Sequence, residues 1–499
     1  MNETKQARAS TPRSRTGCAT CRTRKLKCDE ARPQCRRCKH SGWQCPGYTQ
    51  PGLPQHTENA ATEPHELLSV PGKDALAHLH ISQYALPFKV PGSRDERQAL
   101  HYFSTFAASD ISDLSSYNFW SYTILQRCTH DAPLRHAAAA LGQLHVEYIA
   151  TPKTQDFTPS PDAIKAYGRG IKSLRIYLDN NERPSRSMVL MCSAVFFCFD
   201  LVRGEQDAAS RHLESGLQML KYWQNNDSTA SDVDANEMGQ LLAVFAHMDL
   251  EATVFDQDRV PVLQIRAEDT VGSSHCKDTS QTTLHDLHRS VFALSHAGIA
   301  FLVESVPHKT VDMCNIPEPI AHQRRQLVKS VESWMRRADN VTQKALSQPK
   351  DSDLHHKYRT TIAMGKLHCG MMRLLLLHSL DDEIKAAAPS FDDEAAHLLD
   401  AAEIALSPRD QDTVSTKRRF SLHLGTVQPI FLLALKVQDA SLRERALIIL
   451  NCVQGRREGF HDAFAMAETV NMLASKAMGS VSETESTALE YIVERIGYQ

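Results

Sequence analysis

Cys18-Ala19-Thr20-Cys21-Arg22-Thr23-Arg24-Lys25-Leu26-Lys27-Cys28 is followed, after Asp29-Glu30-Ala31-Arg32-Pro33-Gln34, by Cys35-Arg36-Arg37-Cys38-Lys39-His40-Ser41-Gly42-Trp43-Gln44-Cys45. One unit, C-x2-C-x6-C, is written twice at an offset of 17, pairing 18 with 35, 21 with 38 and 28 with 45. Zinc takes four tetrahedral ligands, and a C-x2-C pair supplies two thiolates at the right separation. A single unit offers three. Six cysteines therefore serve two zincs only if two thiolates are shared, and the symmetric choice makes the first cysteine of each unit the bridge. One Zn2+ then takes Cys18, Cys21, Cys28 and Cys35, and the other takes Cys35, Cys38, Cys45 and Cys18. A segment of about 30 residues cannot build its own hydrophobic core, so the metal is expected to fold it.

The two units differ in charge. After its second cysteine the first reads Arg22-Thr23-Arg24-Lys25-Leu26-Lys27 and the second Lys39-His40-Ser41-Gly42-Trp43-Gln44, four cations against one. Leu26 and Trp43 occupy equivalent places and are expected to pack beneath the metals. Residues 1–48 hold twelve Lys/Arg and three acids, a net +9, so the rest of the chain carries −12 of the overall −3. Six thiolates on two dications leave the cluster near −2 and the segment near +7. A basic head on an acidic body points to a polyanion, and nucleic acid is the commonest one. The first unit is expected to face DNA and the second to brace it.

Gly17 to Cys38, with Pro33 in the loop between the units and Cys45 completing the six cysteines, resembles the fungal Zn2Cys6 binuclear-cluster family. The resemblance implies two short helices around two zincs, a proline that shapes the loop, and a first helix that reads a CGG-type triplet of double-stranded DNA from the major groove. It implies that Arg24 and Lys25 reach guanine edges, which offer O6 and N7 acceptors. Arg22, Lys27, Arg36, Arg37 and Lys39 would then hold phosphates. It further implies a nuclear regulator of RNA polymerase II genes that meets the transcription machinery. Family members often govern carbon or nitrogen use, or a secondary-metabolite gene cluster. The cations from Arg13 to Lys27 can also serve nuclear import.

Residues 1–15 read as a basic arm, 16–48 as the cluster, 49–94 as a linker rich in proline and glycine, and 95–499 as a helical body with a polar loop near 262–282. Prolines break every heptad run in the linker, so any homodimer is expected to form through the body. In the body, Leu134, Ala138, Leu141, Leu144 and His145 follow Asp131-Ala132-Pro133, while Ile164, Tyr167, Ile171, Leu174 and Leu178 follow Ser160-Pro161-Asp162. Each set has a capping residue, a first-turn proline and helical spacing. Met188 to Phe199 is apolar all round and predicts a central buried helix. No alternating strands stand out, so the fold class is mainly α. Short segments such as His101-Tyr102-Phe103, Leu134-Arg135-His136-Ala137 and Phe245-Ala246-His247-Met248-Asp249 resemble the helical regulatory domain that accompanies many Zn2Cys6 proteins.

The start lacks an apolar leader, and the longest uncharged apolar run, Met188 to Phe199, is twelve residues, short of the ~20 that a membrane span needs. That predicts a soluble, intracellular protein with reduced cysteines and no membrane partner. The seven cysteines outside the cluster are read as core residues. Among the 24 histidines, His285-x2-His288 and His355-His356 lack companion ligands at metal spacing. The pairs Asp381-Asp382 and Asp392-Asp393 do not continue to an acid suited to a diphosphate site, and Gly168-x-Gly170 lacks a third glycine. No catalysis is expected. Phe391 to Leu406 is read as a docked amphipathic helix in preference to an activation segment. The rival reading is a ligand-sensing or interaction protein with a nonspecific zinc-cluster anchor.

Overall fold

In a computed structural model of the chain, the described residues are 18, 20–21, 24, 26–31, 34–42 and 45, and most of 90–477. Omitted from the latter span are 114–115, 154, 183, 227–234, 257–258, 264–283, 309–315, 347–352, 381–382, 387, 408–417 and 423–424. The arm, nearly all of the expected linker and the expected polar loop therefore lie outside the described residues. Contacts divide the chain into a unit of residues 1–84 and a unit of residues 85–499.

Among its described residues, the first unit buries the six cysteines together and includes the short helix α1 (Arg36–His40). The second unit is helical. It opens with α2 (Arg94–Tyr102), started by a capping box in which the Ser93 hydroxyl accepts the Glu96 amide and the Glu96 carboxylate accepts the Ser93 amide. Then come α3 (Ala132–Ala150), α4 (Pro161–Asn180), α5 (Arg186–Arg203), α6 (Gln206–Asn226) and α7 (Ala235–Phe255). The chain continues with α8 (Leu284–Ser305), α9 (Glu318–Leu346), α10 (Asp353–Leu377), α11 (Phe391–Leu406), α12 (Val427–Lys436), α13 (Ala440–Cys452) and α14 (Ala463–Ala477).

The apolar run is the centre of the first core. α5 is buried from Ser187 to Val202, starts on the Ser185 hydroxyl and ends at Gly204, whose φ of 86° is the left-handed C-terminal cap that glycine adopts without strain. Helix α3 buries Leu134, Ala138, Leu141, Leu144 and His145 as expected. Helix α4 packs Tyr167, Ile171 and Leu174 against the core as expected, but the centre of its buried face is shifted. Ala163, Ala166 and Gly170 are its buried residues, while Ile164 is 38% and Leu178 40% exposed. The cause is close approach: a side chain at Gly170 would start 3.1 Å from the Phe196 ring and 3.4 Å from the Ala137 backbone.

Two further cores lie along the chain, one among α8, α9 and α10, the other among α10 to α14. Helix α10 serves both, giving Cys369, Met372 and Leu376 to one and Leu367, Met371 and Leu374 to the other. Asp286–His308, along α8, is by length and composition apolar enough to cross a membrane, although charged residues interrupt its apolar run. Here Leu287, Val291 and Phe301 pack in a core, and the Trp334 indole donates to the Leu287 carbonyl at 3.0 Å.

A small sheet departs from the expectation of helices alone. β1 (Arg419–Ser421) pairs in parallel with β2 (Arg456–Glu458), which pairs antiparallel with β3 (His461–Asp462). Strands of two or three residues are too short to write an alternation into the sequence. The sheet carries Arg457, whose guanidinium donates to the Leu201 and Val202 carbonyls at the end of α5 and pairs with Asp462. Of the scattered cysteines, Cys128, Cys192, Cys198 and Cys369 are buried, but Cys452 is exposed, since it falls at the outer end of α13. Cys276 and Cys314 lie outside the described residues.

Candidate metal centre and nucleic-acid surface

The written repeat is also a repeat of hydrogen bonds. The Cys18 amide donates to Cys28 Sγ at 3.5 Å, and 17 residues on the Cys35 amide donates to Cys45 Sγ at 3.4 Å. The Cys21 amide donates to Cys18 Sγ at 3.4 Å, and the Cys38 amide to Cys35 Sγ at 3.3 Å. The Arg24 amide reaches the Thr20 carbonyl, and the Ser41 amide reaches that of Arg37. Each unit thus wraps its backbone around its own sulfurs, and the two copies do so alike.

The sulfurs converge. Cys18 Sγ lies 3.7 Å from those of Cys35 and Cys38, and Cys21 Sγ lies 3.7 Å from that of Cys35. A disulfide needs about 2.05 Å, whereas two ligands of one tetrahedral zinc, each about 2.3 Å from the metal, stand about 3.8 Å apart. The spacing suits the metal. Cys18, Cys21, Cys28 and Cys35 hold their sulfurs within 4.8 Å of one another, as do Cys18, Cys35, Cys38 and Cys45. Cys18 and Cys35 belong to both sets. All six are buried. Burial pushes the Cys18 thiol up to about 12 and the Cys21 and Cys35 thiols up as well. When bound, two zinc ions supply the positive charge that lets such thiols ionise and remain buried.

One residue outside the motif ties the halves together. Asp29 Oδ2 accepts the Arg36 amide at 3.0 Å and Oδ1 accepts the Arg37 amide at 3.3 Å, so the first unit's exit caps α1 of the second. Desolvation raises the Asp29 carboxyl, but these amides outweigh it and hold the group below the usual carboxylate range. In return the Arg37 guanidinium donates to the Lys27 carbonyl at 3.2 Å. The sequence reading missed Asp29, because the only signal is an acid one residue after Cys28.

Of the residues expected to touch DNA, Lys27, Arg36, Arg37 and Lys39 are exposed and Arg24 is half-buried. Arg22, Lys25, Pro33 and Trp43 lie outside the described residues, as does most of the expected first helix. Leu26 differs from the expectation of a packed residue. It is 42% exposed, whereas the buried apolar side chains among the described residues of this unit are the six cysteines. In the body, His288 pairs with Asp113 at 3.1 Å, and Asp392 accepts the Gln438 and Asp439 amides, so both do structural work.

The fungal Zn(2)-Cys(6) binuclear cluster domain matches residues 16–53, and the fungal specific transcription factor domain matches residues 98–468. Among curated proteins, the Aspercryptin biosynthesis cluster-specific transcription regulator atnN of Emericella nidulans is 27% identical over 341 residues, 64% of this chain and 53% of that protein. Transcription regulator lscL of Purpureocillium lilacinum is 23% identical over 63% of this chain and 77% of its own. The Zn(2)-C6 fungal-type transcription factor afumD of Aspergillus fumigatus is 30% identical over 28% of this chain and 34% of its own. The match thus spans about half the length of the first relative and a third of the last. No solved structure matches. Sulfur spacing, repeat and both domain matches agree: the chain belongs to the fungal Zn2Cys6 transcription regulators, DNA-binding proteins with a two-zinc cluster and a helical fungal-specific domain.

Proposed function

We propose that this regulator acts in the nucleus on RNA polymerase II genes and reads CGG-type triplets through the first half of its cluster. Cys18 and Cys35 bridge the two zincs, while Cys21 and Cys28 complete one and Cys38 and Cys45 the other. Arg24 and Lys25 contact guanine edges, and Arg22, Lys27, Arg36, Arg37 and Lys39 hold phosphates. The observation that carries this reading is the pair of overlapping sulfur tetrads sharing Cys18 and Cys35, set among exposed cations. Residues 16–48 would be the reader, 1–15 a basic arm, 49–94 a tether and 95–499 the regulatory body. One relative's name, a biosynthesis cluster-specific regulator, supports a secondary-metabolite gene cluster as the target.

Selection of bound sequences from a random DNA pool tests the reading. An enriched CGG-type triplet supports it, and two triplets at fixed spacing support pairing of copies through the body. A flat pool with ordinary salt-dependent affinity would overturn it in favour of a nonspecific anchor. On a CGG-containing probe, Lys25→Ala is expected to reduce discrimination between sites more than it reduces total binding.

A further inference from the structure

Helices α9 and α11 both pack on α10, and between them runs a cavity of about 700 Å³. Its apolar floor comes from Met335 on α9, Ile362 and Ala363 on α10, and Leu398, Ala401 and Ile404 on α11. On α10, Arg359, Ile362, Ala363, Lys366, Gly370 and Arg373 recur at helical spacing, as do Leu398, Ala401 and Ile404 on α11, so each of these two helices presents one stripe. The small side chains at 363 and 401, with none at Gly370, keep the stripes from filling the valley. Along α10, the lining runs from His355 to Arg373, about 27 Å at 1.5 Å per residue.

The charges around this floor do not balance. Arg373 closes one end, pairing with Glu332 of α9 and Glu394 of α11. Lys366 pairs with Asp339, and Asp400 with Arg445. Arg336 and Arg359 also line the cavity, are exposed, and have no hydrogen bond or ion pair among the described residues. An elongated apolar trough in the size range of small-molecule sites, edged by two uncommitted guanidinium groups, suits one chemistry.

The geometry points to a binding site for an elongated amphipathic carboxylate, its chain along the trough and its carboxylate on Arg336 or Arg359. A positively charged amphiphile of equal length fits the floor but not the edge. This inference does not depend on how the cluster reads DNA, and its test needs no DNA.

The test is isothermal titration of the zinc-loaded full chain with sodium decanoate below its micellar concentration, alongside decyltrimethylammonium. Saturable one-site binding of decanoate is expected, with affinity falling at least tenfold in the Arg336→Gln/Arg359→Gln double variant and binding lost when Ala401→Phe fills the trough. Circular dichroism checks both folds, and the double variant alters only exposed positions, so it stays informative if Ala401→Phe misfolds. The proposal is overturned by absence of saturable binding, by equal affinity for decyltrimethylammonium, or by a double variant that binds like the parent. Binding of an acidic amphipathic peptide without binding of decanoate also overturns it, since the trough would then be a helix-docking groove.

Discussion

Asp29 stands outside the cysteine pattern, yet its two oxygens receive the first amides of α1 and join the two halves of the cluster. Asp29→Ala is expected to leave all six thiols in place but to let a zinc chelator strip the metal at a severalfold lower concentration, read by release of zinc to a colorimetric indicator. Gly365 shows the same dependence on one atom in the body. A Cβ there would lie 2.5 Å from Trp334 Cη2 and 3.2 Å from Val291 Cγ2. Gly365→Ala should therefore destabilise the body by roughly 1–3 kcal/mol, as overpacking does, and lower its thermal unfolding midpoint. Neither role is legible in sequence. Each depends on which residue stands opposite, whereas the six ligands are legible because metal geometry fixes their spacing along the chain.

Between elements, α4, α5 and α6 meet at a polar knot. The Tyr167 hydroxyl donates to Asp200 at 3.1 Å and lies 3.0 Å from His212 Nε2, with Arg203 on the other Asp200 oxygen at 2.8 Å. Burial, then the neighbouring Arg211 and Arg203, push His212 down to about 4 from its ordinary 6.5. A histidine with a lowered folded value binds fewer protons than the unfolded chain between those two values, so its stabilisation is complete above about 6.5 and is lost as pH falls toward 4. Chemical denaturation across that range should show the parent losing stability on acidification more steeply than His212→Gln; equal slopes would remove His212 from the account. At this scale, helix existence was legible from caps and spacing, and so was the facing of α4 through Tyr167, Ile171 and Leu174, but not its most buried positions. Periodicity favoured the larger Ile164 and Leu178, but close packing on α3 and α5 selected Ala163, Ala166 and Gly170.

At the scale of the molecule, a basic metal-folded segment and an acidic helical body divide the chain in both charge and contacts. The body's helical class was legible because α5 is too apolar to lie anywhere but in a core. Its trough and small sheet were not, since the trough needs three helices brought together and strands of two or three residues show no alternation. The central claim concerns the head: its shape, and therefore its hold on DNA, depends on two zincs bound by six thiolates. The most direct test is a mobility-shift titration of the zinc-loaded chain on a CGG-containing duplex, before and after a strong chelator. The account predicts saturable binding that disappears as two zincs leave, returns when zinc is restored and is absent in Cys28→Ala. Undiminished binding to that duplex after both zincs are removed would contradict it.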